Sequence, residues 1–164
     1  MNIKYLKSFQ DNISNLRGSI SRGLNIEEIT FLEEKLNNGN SFPKALKEYL
    51  YLGGDYNPLG FDSEGIGYDE GKNQYLALIE FYEKKMKQKG VSINKPYFIL
   101  SSLHGECFTF IYLDEGDDPQ PYNFGVDEDY RSENGEIIFN TPQNSFSELV
   151  DVLVDRALKG LTPF

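Results

Sequence analysis

The chain is poor in the residues that build cross-links and metal centres. It has one cysteine, Cys107, and one histidine, His104. A single cysteine excludes an internal disulfide framework and any zinc site made of cysteines. A single histidine removes most metal centres and leaves little general-base capacity near neutral pH. No run of about 18 apolar residues occurs, so no membrane span is expected. Lys4, Lys7 and Asp11 interrupt the apolar residues at the start, which argues against a signal-peptide core there. Basic residues are also scarce: 16 Lys and Arg face 26 Asp and Glu, for a formal net charge of −10. A non-specific nucleic-acid binder needs the opposite balance. The expectation is a soluble cytoplasmic protein, monomeric when free, with no cofactor, no metal and no direct hold on nucleic acid or membrane.

What is present suffices for a core. Of 164 residues, 39% are hydrophobic and 14% aromatic. That length suits one domain, or one domain with an extension. Residues 1–24 read as an N-terminal helical extension and 25–164 as the domain.

The charge is concentrated. Between Ser101 and Val150 stand eleven acidic residues and one basic residue, Arg131, while the rest of the chain has fifteen of each sign. The whole net charge therefore resides in this segment. It is either a solvated acidic surface that aids solubility or a field that steers a basic partner.

Hydrophobic periodicity divides the chain into helices, then strands, then a helix. Ile3, Leu6, Ile13, Leu16 and Ile20 form a loose helical stripe. Asn25 with Glu28 resembles a capping box ahead of Ile26, Ile29, Leu32 and Leu36. Asn37-Asn38-Gly39-Asn40 stops that helix, and Pro43 fits the first turn of the next, which ends at Gly53-Gly54. The two should form a helical hairpin. In the Gly-, Asp- and Tyr-rich stretch 55–68, Leu59 and Phe61 could belong to a strand. A helix follows from about Glu70 to Lys89. The period then changes to 2. Tyr97–Leu100, Phe108–Tyr112 and Tyr122–Val126 read as an antiparallel meander with the second strand central, and Ile137–Phe139 as a further short strand. Ser145 and Glu148 resemble a second capping box before a closing helix ended by Gly160. The order predicts an α+β fold, with helices packed on a central, mainly antiparallel sheet.

Motifs for chemistry are weak. His104 and Cys107 are three residues apart, an offset that places them on opposite faces of a regular strand. Asp114–Asp118 offers hard oxygen ligands, but the twelfth residue of an EF-hand counted from Asp114 would be Gly125 rather than Glu. No carboxylate pair stands out for glycosidase-type chemistry. Gly65-Ile66-Gly67 lacks the Lys-Ser/Thr of a phosphate loop. Tyr51, Tyr56, Tyr68, Tyr122 and Tyr130 lie near loops or charge, where tyrosines serve as interface anchors or simply as edge residues of the core.

Taken together, Ile29–Leu36, Phe42-Pro43-Lys44-Ala45-Leu46-Lys47-Glu48-Tyr49-Leu50 and Gly53-Gly54 resemble the opening of the SUKH superfamily, the Smi/Knr-type domain. Tyr97–Leu100, Glu106–Leu113 and Asp117-Asp118-Pro119 with Tyr122 resemble its aromatic sheet and acidic turn. The likeness covers about residues 25–160. It implies an α+β domain without a catalytic centre. It further implies an immunity protein that binds and neutralises a cognate polymorphic toxin, in bacteria often a nuclease. The alternative within the superfamily is an interaction module in cell-envelope or stress regulation. A nuclease is basic where it holds phosphates, so an acidic face could capture it. The residues singled out for toxin contact are Asp114, Glu115, Asp117, Asp118, Asp127, Glu128, Asp129 and Tyr130.

Overall fold

The computed structural model describes residues 1–16, 21–55, 59, 72–103 and 105–161. Helix α1 (Lys7–Asn12) runs into a 3-10 turn at Ile13–Asn15. Helices α2 (Ile26–Leu36), α3 (Lys44–Gly53) and α4 (Lys72–Gln88) follow. Strands β1 (Tyr97–Leu103), β2 (Cys107–Tyr112), β3 (Pro121–Gly125) and β4 (Ile138–Asn140) form one sheet in the order β1-β2-β3-β4, each pair antiparallel. Helix α5 (Phe146–Leu158) closes the chain. The α+β class, the meander and the central place of β2 are as expected from the periodicity. Phe61 of the anticipated strand and Gly65-Ile66-Gly67 lie outside the described residues.

Alternation along the strands gives the sheet two unlike faces. Phe108, Phe110, Tyr112, Tyr122 and Phe124 pack ring to ring on one of them, with Phe108 and Phe124 stacked 4.8 Å apart and Phe110 and Tyr122 5.6 Å apart. Ser101, Thr109, Asn123 and Phe139 are register partners in one row on the other face. Helix α5 lies against that second face, joined to α3 through Phe146 on Tyr49 and from there to Phe9 of α1.

Helix starts are where sequence and structure agree best. At α2, Asn25 accepts the Glu28 N–H and Glu28 accepts the Asn25 N–H, a complete capping box. At α5 only half of the box forms. Ser145 accepts the Glu148 N–H, but the Glu148 carboxylate accepts from Asn144, one residue earlier than the motif requires.

The first sixteen residues belong to the same core as the rest. Ile3, Leu6, Phe9 and Leu16 are buried in it. What fixes them is Glu48, only 3% exposed, on α3. Its carboxylate accepts the N–H groups of Lys4, Tyr5 and Leu6 at 2.8, 2.8 and 2.9 Å. Three consecutive amides converge on one anion just before α1, where unpaired N–H groups need an acceptor.

The two sheet edges differ. On β1, the N–H and C=O of Ile99 point away from β2. The Tyr75 hydroxyl of α4 takes both, accepting at 2.8 Å and donating at 3.3 Å. Tyr75→Phe would leave both backbone groups without that partner and is expected to lower stability by about 1–3 kcal/mol in chemical denaturation.

Candidate interaction surface

The acidic residues singled out from the sequence fall into two groups at opposite ends of the β2–β3 hairpin. Ile111 pairs with Pro121 at one end and Cys107 with Gly125 at the other. Four residue steps of ladder separate those pairs, about 14 Å. That exceeds a Debye length at physiological salt, so the groups act as separate surfaces.

The first group, Asp114, Glu115, Asp117 and Asp118, sits in the β2–β3 turn and is largely engaged within the molecule. Lys95 lies 3.7 Å from Asp114 and 3.4 Å from Glu115. Glu115 also accepts the Tyr122 hydroxyl at 3.0 Å, and burial together with this bond pushes Tyr122 up to about 12. Asp117 accepts from Lys44 at 2.7 Å, and that hydrogen bond holds its carboxyl below the usual value. Its backbone carbonyl accepts the Ala45 N–H at the start of α3. Asp118 does the same work for α5: Ser147 donates its N–H at 2.9 Å and its hydroxyl at 2.6 Å to the carboxylate. Pro119 accepts the Phe146 N–H. The turn therefore supplies acceptors to the first turns of two helices, where a negative charge is favoured by the dipole. Asp118→Ala is expected to lower the unfolding free energy by about 1–2 kcal/mol, as loss of a helix cap does. Urea denaturation with α5 helicity read by circular dichroism measures it.

The second group, Asp127, Glu128, Asp129 and Tyr130, lies in the β3–β4 loop, with a 3-10 turn at Glu128–Tyr130. Asp127 pairs with Lys89 at 3.1 Å. Glu128 and Asp129 are exposed, as are Glu133 and Glu136 further along the same loop. Among the described residues none of these four carboxylates has an ion-pair partner within 4.0 Å. Glu133 and Glu136 were not among the residues singled out from the sequence, which showed them only as part of a long acidic run. The Glu106 carboxylate near Tyr130 raises its hydroxyl above the ordinary tyrosine value. Gly125 sets the path of the loop. A β-carbon there would stand 2.3 Å from the Tyr130 carbonyl oxygen, so only glycine permits the approach. A glycine at a strand end is the signal of such contact that the sequence does carry.

Beside this loop opens a cleft of about 550 Å³ between the Thr109–Asn123 row and α5. Leu149, Leu153 and Val152 form its helical wall, and Phe139 and Tyr130 stand at the sheet side. Thr109 donates to Asn123 at 2.9 Å on its floor. Cys107 also lines it, but burial and the Glu106 charge push the thiol up, so the nucleophilic thiolate is scarce at neutral pH. His104, its candidate partner, lies outside the described residues, as do Tyr56 and Tyr68. Among the described residues no group of three or more His, Cys, Asp or Glu is placed to hold a metal ion, and no helix is long and apolar enough to cross a membrane.

Comparison with family models, with curated proteins and with solved structures returns no match.

Proposed function

We propose that this chain is a non-enzymatic immunity protein of the SUKH type, which binds and neutralises a cognate toxin with a basic, nuclease-like surface. The observation that carries the proposal is the β3–β4 loop, where Glu128, Asp129, Glu133 and Glu136 are exposed and, among the described residues, have no ion-pair partner. Carboxylates already matched by lysine attract a cation weakly; unmatched ones on an exposed loop attract it strongly. The element order supports the SUKH-type reading: a helix pair, an aromatic antiparallel meander, then a closing helix. Within the surface singled out from the sequence, contact is assigned to Asp127, Glu128, Asp129 and Tyr130. Asp114, Glu115, Asp117 and Asp118 are engaged within the molecule and are assigned no contact.

The test begins with the immobilised chain and lysate of its own cells, washed at rising salt. The expected result is one retained basic protein that degrades nucleic acid by itself and stops doing so when the chain is added in equal amount. A retained partner that is neutral or acidic, or a basic one whose nuclease activity the chain leaves untouched, would overturn the proposal.

A further inference from the structure

Among the described residues β4 is the outer strand of the sheet, with no strand or side chain paired to its far side. In an antiparallel ladder, alternate residues direct both backbone groups to one neighbour. Gly125 donates to the Ile137 carbonyl and Thr141 donates to the Pro121 carbonyl, so Ile137, Phe139 and Thr141 face β3. Ile138 and Asn140 therefore direct their N–H and C=O groups away from the sheet. Among the described residues no hydrogen bond reaches these four groups. The opposite edge is treated differently, since Tyr75 closes it at Ile99. An edge left with paired donors and acceptors is a template for another strand.

From this edge we infer that the partner docks by adding an extended, basic segment alongside β4 as a fifth strand. Two observations fix the chemistry of the occupant. The loop leading into β4 carries Glu128, Asp129, Glu133 and Glu136 unmatched, so a lysine- or arginine-bearing strand meets complementary charge as it pairs. A second copy of this chain carries the same formal net charge of −10 and is disfavoured by that repulsion. Phe139 lines the cleft while its neighbours point to the other face, so alternate side chains of the incoming strand meet the α5 wall of Leu149, Val152 and Leu153 with Arg156 beyond them, of which Val152 is 39% exposed. The basic character of the segment rests on the toxin-capture reading above; the open edge does not.

The probe is a capped peptide of about ten residues alternating lysine and valine, with a glutamate–valine peptide as its counterpart. Amide exchange is followed by NMR on the whole chain. The lysine peptide should slow exchange at Ile138 and Asn140 by about tenfold or more and the glutamate peptide should not. Asn140→Pro removes an outward N–H without touching the β3 ladder and places a ring in the path of the strand. It should weaken peptide binding by about tenfold or more with an unchanged unfolding midpoint. Glu133→Lys with Glu136→Lys should weaken it too. If Asn140→Pro does not fold, the exchange pattern of the unaltered chain and the charge variant decide. Failure of the lysine peptide to bind, protection of other amides, or equal binding by folded Asn140→Pro would overturn the inference. So would a concentration-dependent dimer that protects the same amides without peptide. A basic partner captured equally by Asn140→Pro defeats the docking edge and leaves toxin capture standing. Peptide pairing at β4 without any inhibited basic partner does the reverse.

Discussion

Glu48→Ala is expected to lower stability by about 3–5 kcal/mol, since three donors lose a charged acceptor at about 1–3 kcal/mol each and water recovers part of the loss. The effect spreads beyond the hydrogen bonds. Lys4, Tyr5 and Leu6 are the anchor of the N-terminal segment, and the side chains of Leu6 and Phe9 are fully buried. Without the anion the segment detaches and takes part of that burial with it. Glu48→Gln keeps the shape and one acceptor oxygen, so an intermediate loss is expected. Urea midpoints measure the size of the effect, and rapid amide exchange confined at first to residues 1–16 identifies its mechanism. A loss under about 1 kcal/mol in the alanine variant would mean that the amides find other partners.

Glu128→Lys combined with Asp129→Lys is expected to slow capture of the basic partner by about 10–100-fold at low salt, with the difference shrinking as salt rises. Neither residue makes an ion pair among the described residues, so the unfolding midpoint should not move. The matching variant at the other end, Asp117→Lys with Asp118→Lys, behaves differently. It removes the Lys44 pair and the α5 cap, so it lowers stability and slows association less. Stopped-flow association at several salt concentrations separates the two. Equal slowing by both variants would mean that only total charge matters. No slowing by the first would remove the β3–β4 loop from the interface.

The fold was legible wherever its cause is local. Asn25 and Glu28 are three residues apart, and the cap they form needs nothing else. Three of the glycines expected to stop helices, Gly39, Gly90 and Gly160, adopt positive φ, whereas Gly54 caps α3 in the right-handed helical region. The alternation of Phe108, Phe110 and Tyr112 gave a central strand, and it is one. The N-terminal stripe was read less well. Ile3, Leu6 and Leu16 were identified as apolar contacts, but Phe9 was not, and true α-helix covers only Lys7–Asn12. Glu48, more than forty residues away in sequence, fixes the amides of Lys4, Tyr5 and Leu6 ahead of that helix. The candidate surface divides in the same way. A run of carboxylates is visible in the sequence as charge, but not which of them are already occupied. Asp117 meets Lys44 and Ala45, and Asp118 meets Ser147, all distant in the chain. Glu133 and Glu136 acquire interest only when their neighbours prove to lack lysines. Local pattern reports composition; occupancy is a tertiary property.

The division of labour between the two acidic loops bears on how such a protein can change over generations. Replacements in the β2–β3 turn disturb the starts of α3 and α5, so most of them harm the scaffold before they alter any recognition. Replacements at 128, 129, 133 and 136 break no ion pair among the described residues and should stay within about 0.5 kcal/mol of the parent. A lineage can therefore wander through many charge patterns on that one loop while the rest of the molecule stands still, and follow a counterpart that is itself drifting.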